Sequence, residues 1–140
     1  MTTFVIDNSV VMSWYFEDES TPYTDAVLDC LADHECVVPS LWPLEVANVL
    51  LVGERRGRST EARAARFITL LQGLPIRVDP FTASQALAET YQLAREHGLS
   101  SYDAAYLELA MRSGIALATQ DKQLTAAARK SGVFLFLQDK

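Results

Sequence analysis

Four acidic residues stand among apolar neighbours, where an ionised side chain is costly to bury. Asp7 follows the apolar run of "FVIDNS", Asp121 closes "IALATQD", Glu45 lies in "SLWPLEVANVLL" and Asp103 lies in "LSSYDAAYLELA". Carboxylates that share a pocket raise one another's pKa, and a divalent cation removes that penalty. Carboxylate oxygens suit Mg²⁺ or Mn²⁺, and Mg²⁺ usually shares phosphate oxygens of a substrate. If the four side chains converge, we expect chemistry at a phosphodiester.

The segments that must position these acids alternate between two kinds of apolar pattern. Short continuous apolar runs predict strands at residues 4–6, 36–38, 76–78, 115–118 and 134–136. Stretches rich in Ala, Leu, Arg and Glu predict helices at residues 9–16, 24–32, 44–56, 62–71, 83–96, 102–112 and 124–130. This alternation predicts an α/β fold, a three-layer α/β/α single domain over residues 1–140 with a central, mostly parallel five-stranded sheet.

A parallel sheet would bring the four acids to one place. Ligands of such sheets bind beyond the carboxyl ends of the strands, where Asp7 follows the first predicted strand and Asp121 the fourth. Helices that run back over the sheet begin at the same edge, which would add Glu45 and Asp103. Taken singly, each acid also fits a capping or first-turn role in the helix that it begins. The prediction of a shared pocket therefore depends on all four together.

Length and composition set broad limits on the protein. The chain has 140 residues, 49% of them hydrophobic and 21% charged, as expected of one globular domain. The first residues show no signal-peptide pattern, and no apolar run approaches the roughly 20 residues of a membrane helix. Cys30 and Cys36 match no metal-ligand spacing and read as reduced thiols. We therefore expect a cytoplasmic protein that does not contact a membrane.

The net charge of −6 argues against a nucleic-acid partner, but the positive charge is unevenly distributed. One segment, "RRGRSTEARAAR", could hold a phosphate backbone locally. The other interpretation is a solvated face whose arginines pair with Glu54 and Glu61. This segment holds five of the twelve basic residues, namely Arg55, Arg56, Arg58, Arg63 and Arg66.

Other enzymes on similar architectures fit the sequence less well. A dehalogenase-type phosphatase needs a second acid two residues after the first, where this chain has Ser9. A response-regulator receiver needs paired acids after the first strand, and "DNSV" lacks them. Nucleotide-binding folds need a glycine-rich loop, and residues 7–16 contain no glycine. Serine or cysteine hydrolysis is poorly served, because His34 and His97 lie near predicted helix ends in polar surroundings.

The segments "FVIDNSVVMSWYFEDE", "VPSLWPLEVANVLL", "GLSSYDAAYLELA" and "LATQDKQLTAAA" together resemble the PIN-domain ribonucleases. They are most similar to the VapC toxins of bacterial toxin–antitoxin pairs. The resemblance spans nearly the whole chain, with the motifs in the family's order and spacing. It implies that the catalytic and metal-binding residues are Asp7, Glu45, Asp103 and Asp121, supported by the hydroxyl groups of Ser9 and Thr119.

The same resemblance implies a Mg²⁺- or Mn²⁺-dependent endoribonuclease that cleaves RNA with a metal-activated water. Asp7 and Asp103 would contact the metal most directly, Asp121 would complete its surroundings, and Glu45 would hold or deprotonate the water. Similar proteins form homodimers and are inhibited by a small antitoxin protein. Candidates for contact with RNA or with the antitoxin are the basic residues Arg55, Arg56 and Arg58.

One departure from the family bears on the number of metal ions. Many relatives carry a further acid shortly after the fourth, whereas Gln123 and Thr125 occupy those places here. We therefore expect one tightly held ion. Two alternative functions stay open at this level, a metal-dependent phosphatase of another α/β class and a catalytically silent PIN-like binding module.

Overall fold

A parallel β-sheet forms the centre of the computed structural model, which describes residues 2–138. Its spatial order is β3-β2-β1-β4, so the first strand lies inside the sheet with a parallel neighbour on each side. The last three residues of β1, Phe4 to Ile6, are fully buried because helices cover both faces of the sheet. The strands are β1 (Thr3–Ile6), β2 (Glu35–Val38), β3 (Ile76–Val78) and β4 (Leu117–Ala118).

Helices connect the strands and pack against the sheet. Helix α1 contacts both α2 and α3, whereas α7 packs against α6, α8 and β1. Within residues 2–138, no helix combines the length and apolar character needed to cross a membrane. The helices are α1 (Asn8–Ser13), α2 (Pro22–Cys30), α3 (Trp42–Arg55), α4 (Glu61–Gln72), α5 (Thr82–Gln85), α6 (Tyr91–His97), α7 (Ser101–Ser113) and α8 (Lys122–Lys130), with a 3₁₀ turn at Glu17–Glu19.

The structure confirms the predicted α/β fold with a parallel sheet, but the strand count differs by one. Residues 134–136, expected to form a fifth strand, make a single parallel bridge between Leu135 and Leu117. The neighbouring strand β4 has only two residues, so it offers little backbone for further pairing. The chain then leaves the sheet at Leu137, which has a positive φ of 61°. The segment is held at this edge by two backbone hydrogen bonds with Leu117 and by the buried side chains of Leu135 and Phe136.

The helix predicted over residues 83–96 is interrupted. Between α5 and α6 lies a π-helical segment, Ala86–Thr90, in which Ala88 has non-helical dihedral angles (φ −118°, ψ −108°). Helical residue types cannot reveal such a break, because π-type turns depend on packing around the helix rather than on propensity. The other predicted helices are present with boundaries shifted by a few residues.

A buried ion network joins the end of β3 to α7. Asp79 directly follows β3 and is 4% exposed, as is Glu108 in α7. The guanidinium of Arg112 donates to both carboxylates, at 2.8 Å to Asp79 Oδ2 and 2.7 Å to Glu108 Oε2. These two bonds raise the pKa of Arg112 further above its ordinary value. One cation thus compensates two buried acids.

Replacing Arg112 by alanine should lower the free energy of unfolding by about 3–5 kcal/mol, because two buried carboxylates would lose their cation. Urea unfolding at neutral pH would measure this loss. The exposed Arg95 is a matched control, and Arg95→Ala should change stability by no more than about 0.5 kcal/mol. Equal effects of the two substitutions would contradict a structural role for the network.

Candidate active site

Asp7 is buried at the point where β1 ends and α1 begins. Its side chain is 4% exposed, and its backbone N–H donates to the carbonyl of Ala118 at 3.0 Å. Carboxylate oxygen Oδ1 accepts hydrogen bonds from the backbone N–H of Ser9 (3.1 Å) and Val10 (3.3 Å), so Asp7 caps α1. Burial nevertheless dominates and raises the pKa of Asp7 to about 6.

The hydroxyl groups of Ser9 and Thr119 both donate to Asp7. Ser9 Oγ lies 2.6 Å from Oδ1, and Thr119 Oγ1 lies 2.6 Å from Oδ2. Thr119 Oγ1 also accepts from the backbone N–H of Asp121 at 3.0 Å. The fully buried Thr119 therefore links the first predicted acid to the loop that carries the fourth.

Glu45 lies in the first turn of α3 and meets α7 through Tyr106. The phenol of Tyr106 donates to Glu45 Oε1 and is itself 1% exposed. Burial raises the pKa of Glu45 above its ordinary value, the Tyr106 bond opposes that rise, and the charge of Asp103 adds to it. The hydrogen bond therefore fixes the position of a partly buried acid.

Asp103 and Asp121 occupy the beginnings of α7 and α8. The backbone N–H of Asp103 donates to Ser100 Oγ at 3.1 Å, and Asp121 Oδ1 accepts from the backbone N–H of Leu124 at 2.8 Å. Both residues thus fulfil the local helix-start roles that their sequence contexts allowed. Burial raises the pKa of Asp103, and the charge of Asp121 raises it further.

The four acids lie close enough to affect one another electrostatically. Asp103 raises the pKa of Asp7 and of Glu45, while Asp121 raises that of Asp103. Within residues 2–138, none of the four forms an ion pair with a basic side chain. Asp79, the other acid that directly follows a strand, has Arg112 as its cation. The acids around Asp7 therefore place negative charge at the carboxyl edge of the sheet with no basic partner among the described residues.

The donor set fits a divalent cation held through few direct ligands. Among the described residues, no three histidine, cysteine or acidic side chains are already arranged around one metal position. At least one oxygen each of Asp7, Glu45 and Asp121 accepts a hydrogen bond from another residue of the protein. These bonds fix the carboxylates in position, but the carboxylates do not surround a single metal position. Mg²⁺ commonly keeps several waters and binds through one or two carboxylates, which suits this open arrangement.

Two residues near the acids were missed as contributors from the sequence. Tyr106 read only as an apolar flank, although its position three residues after Asp103 places both on one face of α7. Gln120 donates through its backbone N–H to Ser9 Oγ and through its side chain to the Ser9 carbonyl. No sequence signal indicates the Gln120 contacts, because they join segments 111 residues apart.

Among the ion pairs of residues 2–138, none joins the arginine segment to Glu54 or Glu61, the pairing that the sequence suggested. Arg58 donates to both carboxylate oxygens of Asp18, at 3.0 and 3.1 Å, and lies 3.4 Å from Glu19. Arg55 and Arg56 are exposed, and neither forms an ion pair in the part of the chain that the structure describes. The three arginines therefore differ in how far their charge is compensated.

The raised pKa of Asp7 predicts a pH-dependent stability of the metal-free protein. The group titrates near 3.8 when unfolded and near 6 when folded, so the folded state binds more protons between these values. Its contribution to the free energy of unfolding should therefore fall by about 2 kcal/mol as the pH rises from 4 to 7. Urea unfolding in EDTA across this range would measure the loss.

Asp7→Asn is the comparison variant, because asparagine retains the helix cap but does not ionise. The difference in stability between the wild type and this variant should follow the predicted pH dependence. A difference that does not change with pH would contradict a buried, titrating Asp7.

Comparison with known proteins places this arrangement in a family. A model of the PIN domain matches residues 4–130. The chain is 30% identical over 120 residues to "Ribonuclease VapC3" of Pyrobaculum aerophilum, covering 86% of this chain and 90% of that protein. It is 36% identical over 86 residues to "Exonuclease VapC9" of the same organism, covering 61% of each.

Solved structures agree with this assignment. PAE2754 from Pyrobaculum aerophilum matches with a TM-score of 0.67 at 25% identity, over 90% of this chain and 84% of that one. VapBC2 from Rickettsia felis, solved with a DNA fragment from its promoter, matches with a TM-score of 0.66 over 96% and 97%. Its 9% identity supports the fold alone. The resemblance found in the sequence is confirmed, and the chain belongs to the PIN-domain family.

Proposed function

We propose that this protein is a metal-dependent endoribonuclease and the toxin of a toxin–antitoxin pair. The observation that carries the proposal is the group of four acids at the carboxyl edge of the sheet, which has no basic side chain to compensate it within residues 2–138. Membership of the PIN-domain family and similarity to a protein named as a VapC ribonuclease support the choice of RNA. PIN-domain nucleases generally depend on divalent metal ions, and we propose Mg²⁺ or Mn²⁺ for this site.

The proposed roles of the residues at the metal site follow from their contacts. Asp7 and Asp103 are the proposed direct ligands, and Asp121 completes the site from the start of α8. Ser9 and Thr119 hold the Asp7 carboxylate by donating to its two oxygens. Oδ1 also accepts from the backbone N–H groups of Ser9 and Val10, so Oδ2, with Thr119 as its one donor among the described residues, is the oxygen proposed to bind a cation. These hydroxyl groups would fix the direction in which the carboxylate faces.

Glu45 is the proposed group that holds or deprotonates the attacking water. Its raised pKa brings proton uptake closer to neutral pH, which suits a general base. Tyr106 positions Glu45 by donating to Oε1 and leaves the second oxygen outside that bond. A divalent cation bound among the acids would activate the water and offset the charge of the phosphodiester.

Two kinds of protein partner follow from this assignment. We propose a small antitoxin as the inhibitor, since a VapBC complex shares this fold, and a homodimer as the active assembly. We also propose that the protein acts on RNA in the cytoplasm when the antitoxin does not inhibit it. Co-purification with the product of an adjacent gene and light scattering of the purified complex would test these proposals.

A phosphatase of the dehalogenase type remains disfavoured by the structure around Ser9. The position where that class needs a second acid holds a hydroxyl that donates to Asp7 and accepts from the Gln120 N–H. Ser9 therefore serves the first acid and provides no general acid of its own. A phosphomonoester substrate assayed beside RNA would distinguish the two activities.

Asp103→Asn should abolish RNA cleavage, with a loss of at least about a hundredfold, because the substitution removes one negative charge from the metal site. Cleavage of a mixed structured-RNA panel with Mn²⁺ or Mg²⁺, with and without EDTA, would measure it. The exposed Asp29→Asn removes the same charge elsewhere and should retain activity. Equal cleavage by both variants would show that Asp103 serves only as a helix-start residue.

A circular RNA substrate would separate endonucleolytic from exonucleolytic cleavage. We expect the wild type to open the circle, because the proposed site requires a phosphodiester and no free end. Cleavage of linear RNA with an intact circle would instead support an exonuclease, the activity in the name of one relative.

A further inference from the structure

A groove of about 270 Å³ lies between the second half of α3 and the turn that follows α1. It begins one helical turn beyond Glu45, the acid in the first turn of the same helix. Its wall on the α3 side combines apolar and polar side chains, and its other wall includes Phe16. The residues that line it are Phe16, Glu19, Asn48, Val49, Val52, Gly53, Arg56 and Arg58.

Helical periodicity joins this groove to the acidic site. Glu45, Val49, Val52 and Arg56 follow one another at intervals of four, three and four residues, which places them along one face of α3. Eleven residues at a rise of 1.5 Å separate Glu45 from Arg56 by about 16 Å along the helix. This distance spans several nucleotides of a stacked strand, whose phosphates are spaced about 3.4 Å apart along the axis.

The groove is narrow at Gly53 because the two walls approach closely there. A Cβ atom at Gly53 would lie 3.2 Å from Phe16 Cζ, so a larger residue would press against the aromatic ring. Phe16 is itself 5% exposed and belongs to the core. The position of this wall is therefore set by core packing.

The two arginines that line the groove, Arg56 and Arg58, differ in whether an acidic side chain pairs with them. The guanidinium of Arg58 lies 4.1 Å from the centroid of the Phe16 ring and binds Asp18 and Glu19, so internal acids already compensate its charge. Arg56 is exposed and forms no ion pair among residues 2–138. Of these two side chains, Arg56 is therefore the one with charge available for an anionic ligand.

We propose that this groove holds the RNA strand on one side of the cleavage position, with Arg56 binding a backbone phosphate. The inference rests on the proposed ribonuclease function and adds a binding site remote from the acids. Arg58 shapes the groove wall through Phe16 and contributes no phosphate contact. RNA is favoured over an antitoxin as the occupant because the groove continues along the α3 face that carries Glu45.

The test compares Arg56→Ala with Arg66→Ala, which removes the same charge from an exposed position on α4 outside the groove. On an RNA that extends beyond the cleavage site on both sides, Arg56→Ala should raise KM roughly tenfold and leave kcat near the wild-type value. The slope of log(kcat/KM) against log[salt] should become less negative by about 0.7. Arg56→Lys should recover part of the loss, and Arg66→Ala should resemble the wild type.

Truncated substrates distinguish a phosphate contact from a general structural defect. The effect of Arg56→Ala should disappear when the RNA is shortened on one side of the cleavage site, because the contacted phosphate is then missing. An effect of the same size on every substrate length would overturn the proposal. So would identical kinetics of Arg56→Ala and Arg66→Ala on the long RNA.

The remaining outcomes separate this inference from the proposed function. If Arg56→Ala weakens the complex with the purified antitoxin while RNA kinetics stay unchanged, the groove belongs to the antitoxin and the RNA proposal is wrong. If the wild type cleaves no RNA, the proposed function fails. The binding of single-stranded RNA, measured by fluorescence anisotropy in EDTA, then tests whether the groove holds RNA. Weaker binding by Arg56→Ala than by Arg66→Ala would support it, and equal binding would overturn it.

Discussion

The burial of Asp7 is the constraint on which the carboxyl edge of this sheet depends. A carboxylate placed after the central strand loses its hydration, and residues 2–138 offer it hydroxyl and amide donors rather than a basic side chain. Those donors come from the start of α1 and from Thr119, beyond β4, so satisfying one carboxylate fixes several segments at once. These contacts hold Asp7 at the edge of the sheet, where the other three acids stand at the starts of α3, α7 and α8.

Asp79 is a second buried acid at the end of a strand, but a basic side chain of the protein pairs with it. It also directly follows a parallel strand and is equally buried, yet Arg112 binds it and Glu108 together. A carboxylate compensated in this way is a structural element that joins β3 to α7. The contrast explains why position at a strand end is insufficient to identify a functional acid, and why the absence of a basic partner around Asp7 among the described residues is informative.

An acidic protein that acts on a polyanion must present positive charge locally. In the proposed arrangement, a divalent cation supplies it at the acids and Arg56 supplies it at the far end of the α3 groove. Helix α3 thus connects the two places through a single rigid element, with Glu45 in its first turn and Arg56 just past its end. Arg58 illustrates the opposite use of an arginine, since Asp18 and Glu19 retain its charge within the fold.

Sequence patterns by themselves determined the α/β class and the four acids as candidates, because apolar runs and helix signals are local and strand-end acids follow from them. Tertiary structure alone decided features that depend on distant partners. Residues 134–136 lie beside a two-residue strand and pair with it through the bridge between Leu135 and Leu117. Tyr106 donates a hydrogen bond to Glu45, which lies 61 positions earlier in the chain. Arg58 found acids about 40 residues earlier in the chain instead of its neighbours in sequence. Such contacts depend on which surfaces the folded chain brings together, and local periodicity carries no information about them.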